Sequence, residues 1–247
     1  NDIQVLREDF PSLKEHCHIV RATSNHGKMP FAKIGGKKLT KYKSGTKLTG
    51  EAANTEDINY NIENYGALVP IANDLQEDEA VNIVQDVIKP DFAEAGVNSE
   101  NDEILQIVEA NAVDKSTGVT DWRGVKKVID GVLPTLRAKT VVITNLTGYV
   151  YLQSQEDKNG RNLDLVKTVN GKDYFQNRQL ITLSDEAVTA SATGKVVFYV
   201  VNLYALVKFF ERKGYTVSTD KSVFFESDET ALKVQERFDC EKLDDRA

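Results

Sequence analysis

The residues that could do chemistry are few, and the most suggestive of them lie near the start of the chain. His16-Cys17-His18 offers two imidazoles and a thiol, which are side chains that bind zinc. Adjacent side chains point in different directions on a strand or a helix, and no second Cys/His cluster is present to complete a tetrahedral site. We therefore interpret the triplet as ordinary structure and predict no metal site and no cofactor.

Catalytic constellations are equally hard to find. All three histidines fall within the first 26 residues, outside the region predicted to be compact, where a general base would need a shaped pocket. The sequence has no GxSxG, P-loop, HExxH or GxGxxG following a strand. An acidic cluster suits the positive end of a helix dipole: Asp74, Glu77, Asp78 and Glu79. We predict that the protein is not an enzyme and has no catalytic or cofactor-binding residues.

The bulk composition limits the possible partners. The chain has 247 residues, enough for one or two domains with a sizeable core. Its formal net charge is −7, so the molecule as a whole does not suit a polyanion, and contact with nucleic acid would be local or loose. No apolar run approaches the length of a membrane span, and no signal peptide is recognised. Cys17 and Cys240 are predicted to be reduced thiols, and the chain begins without Met, which is compatible with proteolytic processing among other reasons.

The rest of the chain is organised around a strand that leads into a long helix. Residues 67–69 (ALV) predict a buried strand broken by Pro70, and apolar residues at helical spacing through Ile88 predict an amphipathic helix. We expect this helix to continue to about residue 95 with a kink at Pro90. Gly96 then punctuates it, and Ser99 caps a second helix.

Before that stretch lie an arm and a ribbon. Residues 1–25 have only scattered apolar side chains and predict an arm that lies on something else, such as a neighbouring chain. Seven lysines follow between residues 28 and 47, and the alternation at 38–43 and 58–62 predicts a two-stranded ribbon. Three interpretations remain open: a solvated surface loop, a projection that lies across a partner, and a phosphate-binding patch, for which a specific motif is missing.

After the helix the pattern predicts a mixed α/β region. Asp121 is predicted to cap a helix that runs to Leu136, with Trp122 as a core anchor. Predicted strands lie at 139–144, 180–183, 195–201, 206–210 and 232–238, with a short helix at 146–154 and a turn at 157–161. Lys213-Gly214 is interpreted as a turn, and residues 241–246 as an exposed tail.

Several stretches resemble a known family. Residues 68–78 (LVPIANDLQED) are similar to a "VPIS-x-E-L-L-E-D" junction between a strand and a spine helix. Residues 142–145 (VITN), with Leu152 and 157–161 (DKNGR), are similar to an "M-N-P … L-x-D-x-x-G-R" signature, and 231–239 (ALKVQERFD) to a final sheet. Residues 21–31 and 208–217 add weaker matches. In this order, the stretches resemble the major capsid proteins of tailed bacteriophages, with the Hong Kong 97-type fold.

The resemblance implies an α+β fold with an N-terminal arm (1–27), an extended β-hairpin loop (28–61), a peripheral domain with a long spine helix (62–115 and 197–239), an axial α/β domain (116–196) and a C-terminal tail (240–247). It implies a virion protein, assembled in the host cytoplasm, whose hexamers and pentamers form an icosahedral shell around double-stranded DNA. Scaffolding segment or protein, portal and maturation protease are implied partners. Packaged DNA would be held only loosely, and no membrane is involved. Residues 226–238 contain no Asn, so the covalent cross-link of some members is not expected.

Opposite charges on the ribbon and at the helix start predict contacts between subunits. The residues concerned are Lys33, Lys37, Lys38, Lys41, Lys43, Lys47, Glu77, Asp78 and Glu79. Three alternatives stay open. An encapsulin-type nanocompartment would share the fold and enclose proteins, an enzyme would need a base or nucleophile cluster, and a monomeric module could use the lysines on nucleic acid.

Overall fold

A computed structural model describes residues 10–32, 44, 55–73, 88–117, 119–188, 195–244 and 246. Within these residues the chain forms a four-stranded sheet, a five-stranded sheet and a two-stranded ribbon. The described helices are α1 (Lys89–Asn111), α2 (Trp122–Asp130), α3 (Leu146–Gln153) and α4 (Leu203–Leu206). The predicted α+β class is confirmed. None of the described helices is both long enough and apolar enough to cross a membrane.

The four-stranded sheet brings the two ends of the chain together. Its order is β1 (His18–Arg21), β10 (Val207–Phe224), β11 (Glu229–Lys242) and β4 (Glu63–Ala72). β1 runs parallel to β10, and the other two pairs are antiparallel. The turn predicted at Lys213-Gly214 is wrong. β10 passes through these residues with shifts of register on both sides of Lys213, so the extra residues are accommodated as an irregularity within the strand.

Strand β4 confirms the predicted strand but corrects two of its details. Pro70 does not break it, because β4 is an edge strand and Pro70 is paired in register with Ala231. The strand is also not buried throughout. Leu68 is 49% exposed, and Ile71 is the one fully buried side chain of the strand.

Helix α1 is one continuous helix of 23 residues, so the predicted division near Gly96 is wrong. Pro90 lies in its first turn, where a missing backbone N–H costs nothing. Ser99 does not cap a new helix, since its hydroxyl donates to the carbonyl of Ala95 one turn earlier. Tertiary packing explains the continuity, because side chains on both sides of Gly96 are buried: Phe92, Ala93, Val97, Ile104, Leu105 and Val108. The predicted stripe before residue 88 lies outside the described residues.

The five-stranded sheet has the order β6 (Val166–Val169), β7 (Lys172–Phe175), β8 (Arg178–Leu183), β5 (Val141–Asn145) and β9 (Phe198–Val201). Every residue of β5 is buried, as its β-branched sequence predicted. The predicted strand at 180–183 is confirmed within β8, and the turn at 157–161 is confirmed, with Gly160 at φ +73°. Asp121 caps α2 as predicted, because its carboxylate accepts a hydrogen bond from the N–H of Arg123. The predicted end at Leu136 is wrong, since the helix ends at Asp130.

Asn145 joins strand β5 to helix α3 and to the chain that enters β9. It is 1% exposed. Its Oδ1 accepts from the backbone N–H of Gly148 at 3.0 Å and of Val197 at 3.3 Å, and its Nδ2 donates to the carbonyl of Lys195 at 2.8 Å. One side chain therefore satisfies the helix start and fixes a segment 50 residues away in sequence.

Replacing Asn145 with Asp should lower the free energy of unfolding by about 2–3 kcal/mol at pH 7. The carboxylate keeps the shape and the helix cap, but it places a buried charge against the carbonyl of Lys195, where Nδ2 now donates. Urea unfolding followed by circular dichroism would measure the change. Asn159→Asp, in an exposed turn, is the matched control and should be near neutral. Equal unfolding midpoints for the two variants would show that the Lys195 bond contributes nothing.

One hydrophobic core connects the N-terminal segment, α1 and both large sheets. It includes Leu13, Ile104, Ile143, Phe209 and Phe238. The expectation that residues 1–25 lie on something else is therefore wrong for residues 10–25, which pack on their own chain. Cys17 and Cys240 also lie in or against this core as free thiols. Burial raises the pKa of Cys17 to about 12 and also raises that of Cys240.

The end of the chain is more structured than the predicted exposed tail. β11 continues to Lys242, and the N–H of Leu243 donates to the carbonyl of Leu206 at 2.6 Å. Asp244 is 4% exposed and forms an ion pair with Arg246. The described part of the tail is thus held against the body.

Candidate self-assembly surfaces

The described residues show how the ribbon is attached. β2 (His26–Ala32) and β3 (Thr55–Asn61) form an antiparallel pair, so the predicted return strand is confirmed. The outgoing strand of this pair lies at 26–32. The strand predicted at 38–43 lies outside the described residues, as do all nine predicted contact residues: Lys33, Lys37, Lys38, Lys41, Lys43, Lys47, Glu77, Asp78 and Glu79.

The base of the ribbon packs firmly on the four-stranded sheet. Ile58 and Ile62 are buried against Phe210, and the ring of Tyr60 stacks on Phe210 with centroids 4.5 Å apart. The N–H of Asn61 donates to Oδ2 of Asp239 at 2.7 Å. Burial raises the pKa of Asp239, although this hydrogen bond acts in the opposite direction. The sequence predicted a ribbon too polar to bury itself, but its base has an apolar anchor on its own subunit.

A buried ionic cluster fixes the N-terminal segment to the body. Nζ of Lys14 lies 2.6 Å from a carboxylate oxygen of Glu100, 2.9 Å from Glu211 and 3.5 Å from Glu236. It also lies 4.5 Å from the ring centroid of Phe209. We call these residues the Lys14 cluster. Burial lowers the pKa of Lys14, but the charges and hydrogen bonds of the carboxylates, led by Glu100, outweigh it and raise the pKa above 10.5.

Helix α1 is tied by tyrosine–carboxylate bonds to both large sheets. Tyr65 of β4 donates to Glu103 at 3.0 Å, and Tyr199 of β9 donates to Glu109 at 3.1 Å. Burial, with the adjacent carboxylates, raises the pKa of both phenols. The two sheets are therefore connected through one helix.

Helix α3 presents apolar side chains to solvent. Leu146 is 53% exposed and Val150 is 57% exposed, and their spacing of four places them on the same face. The sequence predicted the helix but not this outward face. Other large aliphatic side chains of the same lobe are exposed as well: Leu133, Val169 and Val196. Contiguous apolar patches mark contact sites, whereas single exposed apolar side chains are normal, so the pair on α3 is the stronger candidate of these.

The described residues contain no group of three or more His, Cys, Asp or Glu that is placed to hold a metal ion. The ring of His18 instead stacks on Tyr204, with centroids 4.8 Å apart and planes 4° apart. The surfaces described above are the base of the ribbon, the exposed face of α3 and the segment held by the Lys14 cluster.

Comparison with protein families decides the identity. The model of the phage capsid family matches residues 3–247, which is almost the whole chain. The chain belongs to the phage capsid family. The predicted resemblance and function class are thereby confirmed. This phage capsid protein is a structural component of a virion and not an enzyme.

Solved structures agree on the fold. The chain is similar to a protein from Gordonia phage Cozz, with 12% identity, a TM-score of 0.70 and coverage of 96% of this chain and 84% of that one. A protein from Microbacterium phage Oxtober96 matches with 14% identity and a TM-score of 0.67, over 94% and 85% of the two chains. A third structure, described as the capsid of a native GTA particle, matches with 13% identity and a TM-score of 0.69, over 96% and 88%. Comparison with curated protein sequences found no match.

These comparisons also bear on the alternatives. They do not favour the encapsulin-type shell, since the family matched is that of phage capsids. A phage capsid protein works by association with other subunits. The ribbon base and the exposed face of α3 are the described candidates for contacts between subunits.

Proposed function

We propose that copies of this phage capsid protein form hexamers and pentamers that close into an icosahedral head around double-stranded DNA. The observation that carries the proposal is the family match over residues 3–247. Residues 62–115 with 197–239 would form the peripheral domain, 116–196 the axial domain and 28–61 the extended loop. Assembly would take place in the host cytoplasm, with scaffold, portal and maturation protease as further partners and no membrane.

The ribbon is proposed to carry the contact between neighbours. Its base is anchored on its own subunit through Ile58 and Ile62, so its distal lysines can be directed toward another copy. Ordering such a segment costs conformational entropy, and the interactions that form on assembly offset that cost. Lys33, Lys37, Lys38, Lys41, Lys43 and Lys47 of one copy would face Glu77, Asp78 and Glu79 of the next. Many copies convert modest contacts into a stable shell.

Reversing the ribbon charge should prevent shell formation. In the variant Lys37→Glu, Lys38→Glu, Lys41→Glu, we expect a folded subunit with at least a tenfold lower yield of particles, because like charges then face each other. Negative-stain microscopy and sedimentation would count the particles, and circular dichroism would check folding.

The matched control reverses three exposed lysines outside the ribbon, Lys115, Lys126 and Lys158, with the same change in net charge. This control should assemble normally. A ribbon variant that forms normal shells would refute the ribbon contact. Equal failure of both variants would mean that total charge, and not the ribbon, controls assembly. Extraction of the particles tests the second half of the proposal, since a DNA phage head must contain DNA and not a co-purified protein.

A further inference from the structure

A cationic pocket lies where the N-terminal segment meets the five-stranded sheet. Its volume is about 380 Å³, within the range of small-ligand sites. Four parts of the chain surround it: the turn at Lys14–His16, the turn at Arg137–Lys139 with the start of β5, the hairpin between β7 and β8, and Tyr204 of α4. Its polar lining includes Lys139, Arg178, His16, Tyr174, Asn177 and Gln179.

The charges of this pocket do not cancel. Glu15 is the one acidic residue in the described lining, and it is already paired with Lys172 at 3.8 Å. Within the described part of the chain, neither Lys139 nor Arg178 has a carboxylate within 4.0 Å. Nζ of Lys139 lies 3.3 Å from the ring centroid of Tyr204, which stabilises the ammonium without neutralising it. The pocket thus keeps two uncompensated cations in a protein whose net charge is −7.

A buried lysine adds to the positive charge. Lys208 is paired in register with His18, whose ring stacks on Tyr204 at the pocket wall. It is 4% exposed, and no described carboxylate lies within ion-pair distance of its Nζ. Burial lowers its pKa. Nζ of Lys208 is not among the buried polar atoms of the described residues that lack a partner, so the stem of the side chain is buried while the ammonium reaches solvent and adds positive charge beside His18.

Burial, together with nearby lysines, lowers the pKa of both histidines of this region. Burial lowers the pKa of His16, and Lys172 lowers it further while Glu15 opposes the shift. Burial also lowers the pKa of His18, followed by Lys208 and Lys139. The lowered pKa values favour the neutral form of both rings. His16 can donate a hydrogen bond to a ligand without the desolvation cost of a further charge.

We propose that this pocket binds a phosphate group. Arginine presents a planar fork of donors that matches phosphate oxygens, and lysine supplies a point charge. The side-chain amides of Asn177 and Gln179 add neutral donors. The Tyr204 ring is already in contact with the ring of His18 and the ammonium of Lys139, which compete with a base for stacking on it. The site should hold a phosphate without preference for a base.

Two sources could supply the phosphate: the backbone of a nucleic acid, or a free phosphate or nucleotide. Only the first rests on the proposed function, because it needs a genome inside the shell. The pocket therefore gives this acidic protein one local point of attachment for nucleic acid, in agreement with the predicted loose contact. Binding is measured on the full-length subunit before assembly, so failure to bind is distinguishable from failure to form shells.

The experiment measures binding of fluorescent 20-base-pair duplexes to the full chain by anisotropy, with inorganic phosphate and ATP as competitors. We expect salt-sensitive duplex binding that two unrelated sequences share equally. The variant Lys139→Gln, Arg178→Gln should weaken it at least tenfold and reduce the salt slope by about two. The control Lys126→Gln, Arg161→Gln removes two exposed cations outside the pocket and should change binding less than twofold.

Each outcome decides a point. Direct binding of phosphate or ATP in calorimetry, with no duplex binding in the anisotropy assay, would assign the site to free phosphates. Displacement only by an acidic peptide would overturn the proposal in favour of a protein partner. Failure of the wild-type protein to bind phosphate, ATP and duplex would overturn the proposal outright. This measurement does not depend on whether a variant folds. Equal losses for the pocket variant and the control would do the same.

Discussion

Replacing Lys14 with methionine should lower the free energy of unfolding by about 3–5 kcal/mol, the usual cost of removing one partner from a buried ionic group. Methionine keeps most of the volume but leaves Glu100 and Glu236, which are 1% and 4% exposed, without the cation they share with Glu211. Urea unfolding at pH 7 would measure the loss. Hydrogen exchange should show faster opening of residues 13–21.

Two controls separate the buried cluster from an ordinary charge change. Lys172→Met removes a cation whose partner Glu15 is 3.8 Å away and 59% exposed, and it should change stability by less than about 0.5 kcal/mol. The variant Lys14→Met, Glu100→Gln should recover part of the loss, because one buried charge is neutralised. Equal unfolding midpoints for Lys14→Met and Lys172→Met would contradict the prediction.

The pH dependence has a definite sign. The pKa of Lys14 is raised on folding, so its contribution is complete below the unfolded pKa near 10.5 and is lost as pH rises through the higher folded pKa. The contribution of the Lys14 charge should therefore be lost in alkaline solution, above about pH 10.5. In acid the advantage over Lys14→Met should fall as well, because protonation neutralises the carboxylates that the variant leaves without this cation. An advantage that stays unchanged above about pH 10.5 would contradict the prediction.

Replacing Phe238 with alanine should cost about 3–5 kcal/mol as well. Its ring is 0% exposed and stacks between Tyr65, at a centroid distance of 4.2 Å, and Phe209, at 5.0 Å. Truncation removes both aromatic contacts and leaves a cavity where the four-stranded sheet meets the shared core. Thermal and urea unfolding would measure the loss, and the yield of particles should fall with it.

The matched control is Val223→Ala, on β10, where the side chain is 56% exposed. It should change stability by less than about 0.5 kcal/mol. Phe238→Leu should lie between the two, because leucine fills part of the space without stacking. If Phe238→Ala and Val223→Ala had the same unfolding midpoint, the prediction would be contradicted, and the sheet would have to close over the cavity.

Local signals in the sequence predicted the elements that depend on local physics. Asp121 identified the start of α2 because a carboxylate can cap the first N–H groups of a helix. The β-branched run before Asn145 predicted β5, and Asn145 marked the start of α3. The order of these stretches along the chain also supported the resemblance to phage capsid proteins.

The errors arose where distant packing overrides local preference. Gly96 and Ser99 look like a helix end, but α1 continues because core residues on both sides of them are buried. Lys213-Gly214 looks like a turn, but pairing with β11 keeps the chain extended. Pro70 looks like a strand end, but the position of β4 at the sheet edge tolerates it.

The site was less accessible to sequence reasoning than the fold. The Lys14 cluster unites residues 86, 197 and 222 positions apart, and no short pattern marks such a group. Lys139 and Arg178 both line one pocket. Lys139 lies just before β5, Arg178 is the first residue of β8, and these two strands are parallel neighbours. The nine ribbon and helix-start residues lie outside the described ranges, so their role at the contact between subunits stays a prediction.

The parallel pairing of β1 with β10 affects how the subunit folds during synthesis. The segment around Lys14 cannot dock until Glu211, 197 residues later in the chain, has been made. At typical ribosomal speeds, on the order of 10–40 s pass between the synthesis of the two. The segment around Lys14 is therefore made well before its partner strand, and its docking on β10 comes late in the folding of each newly made molecule. When many ribosomes translate one messenger RNA, a chaperone or other partner that covers this segment until β10 and β11 are made would limit wrong pairing between nascent chains.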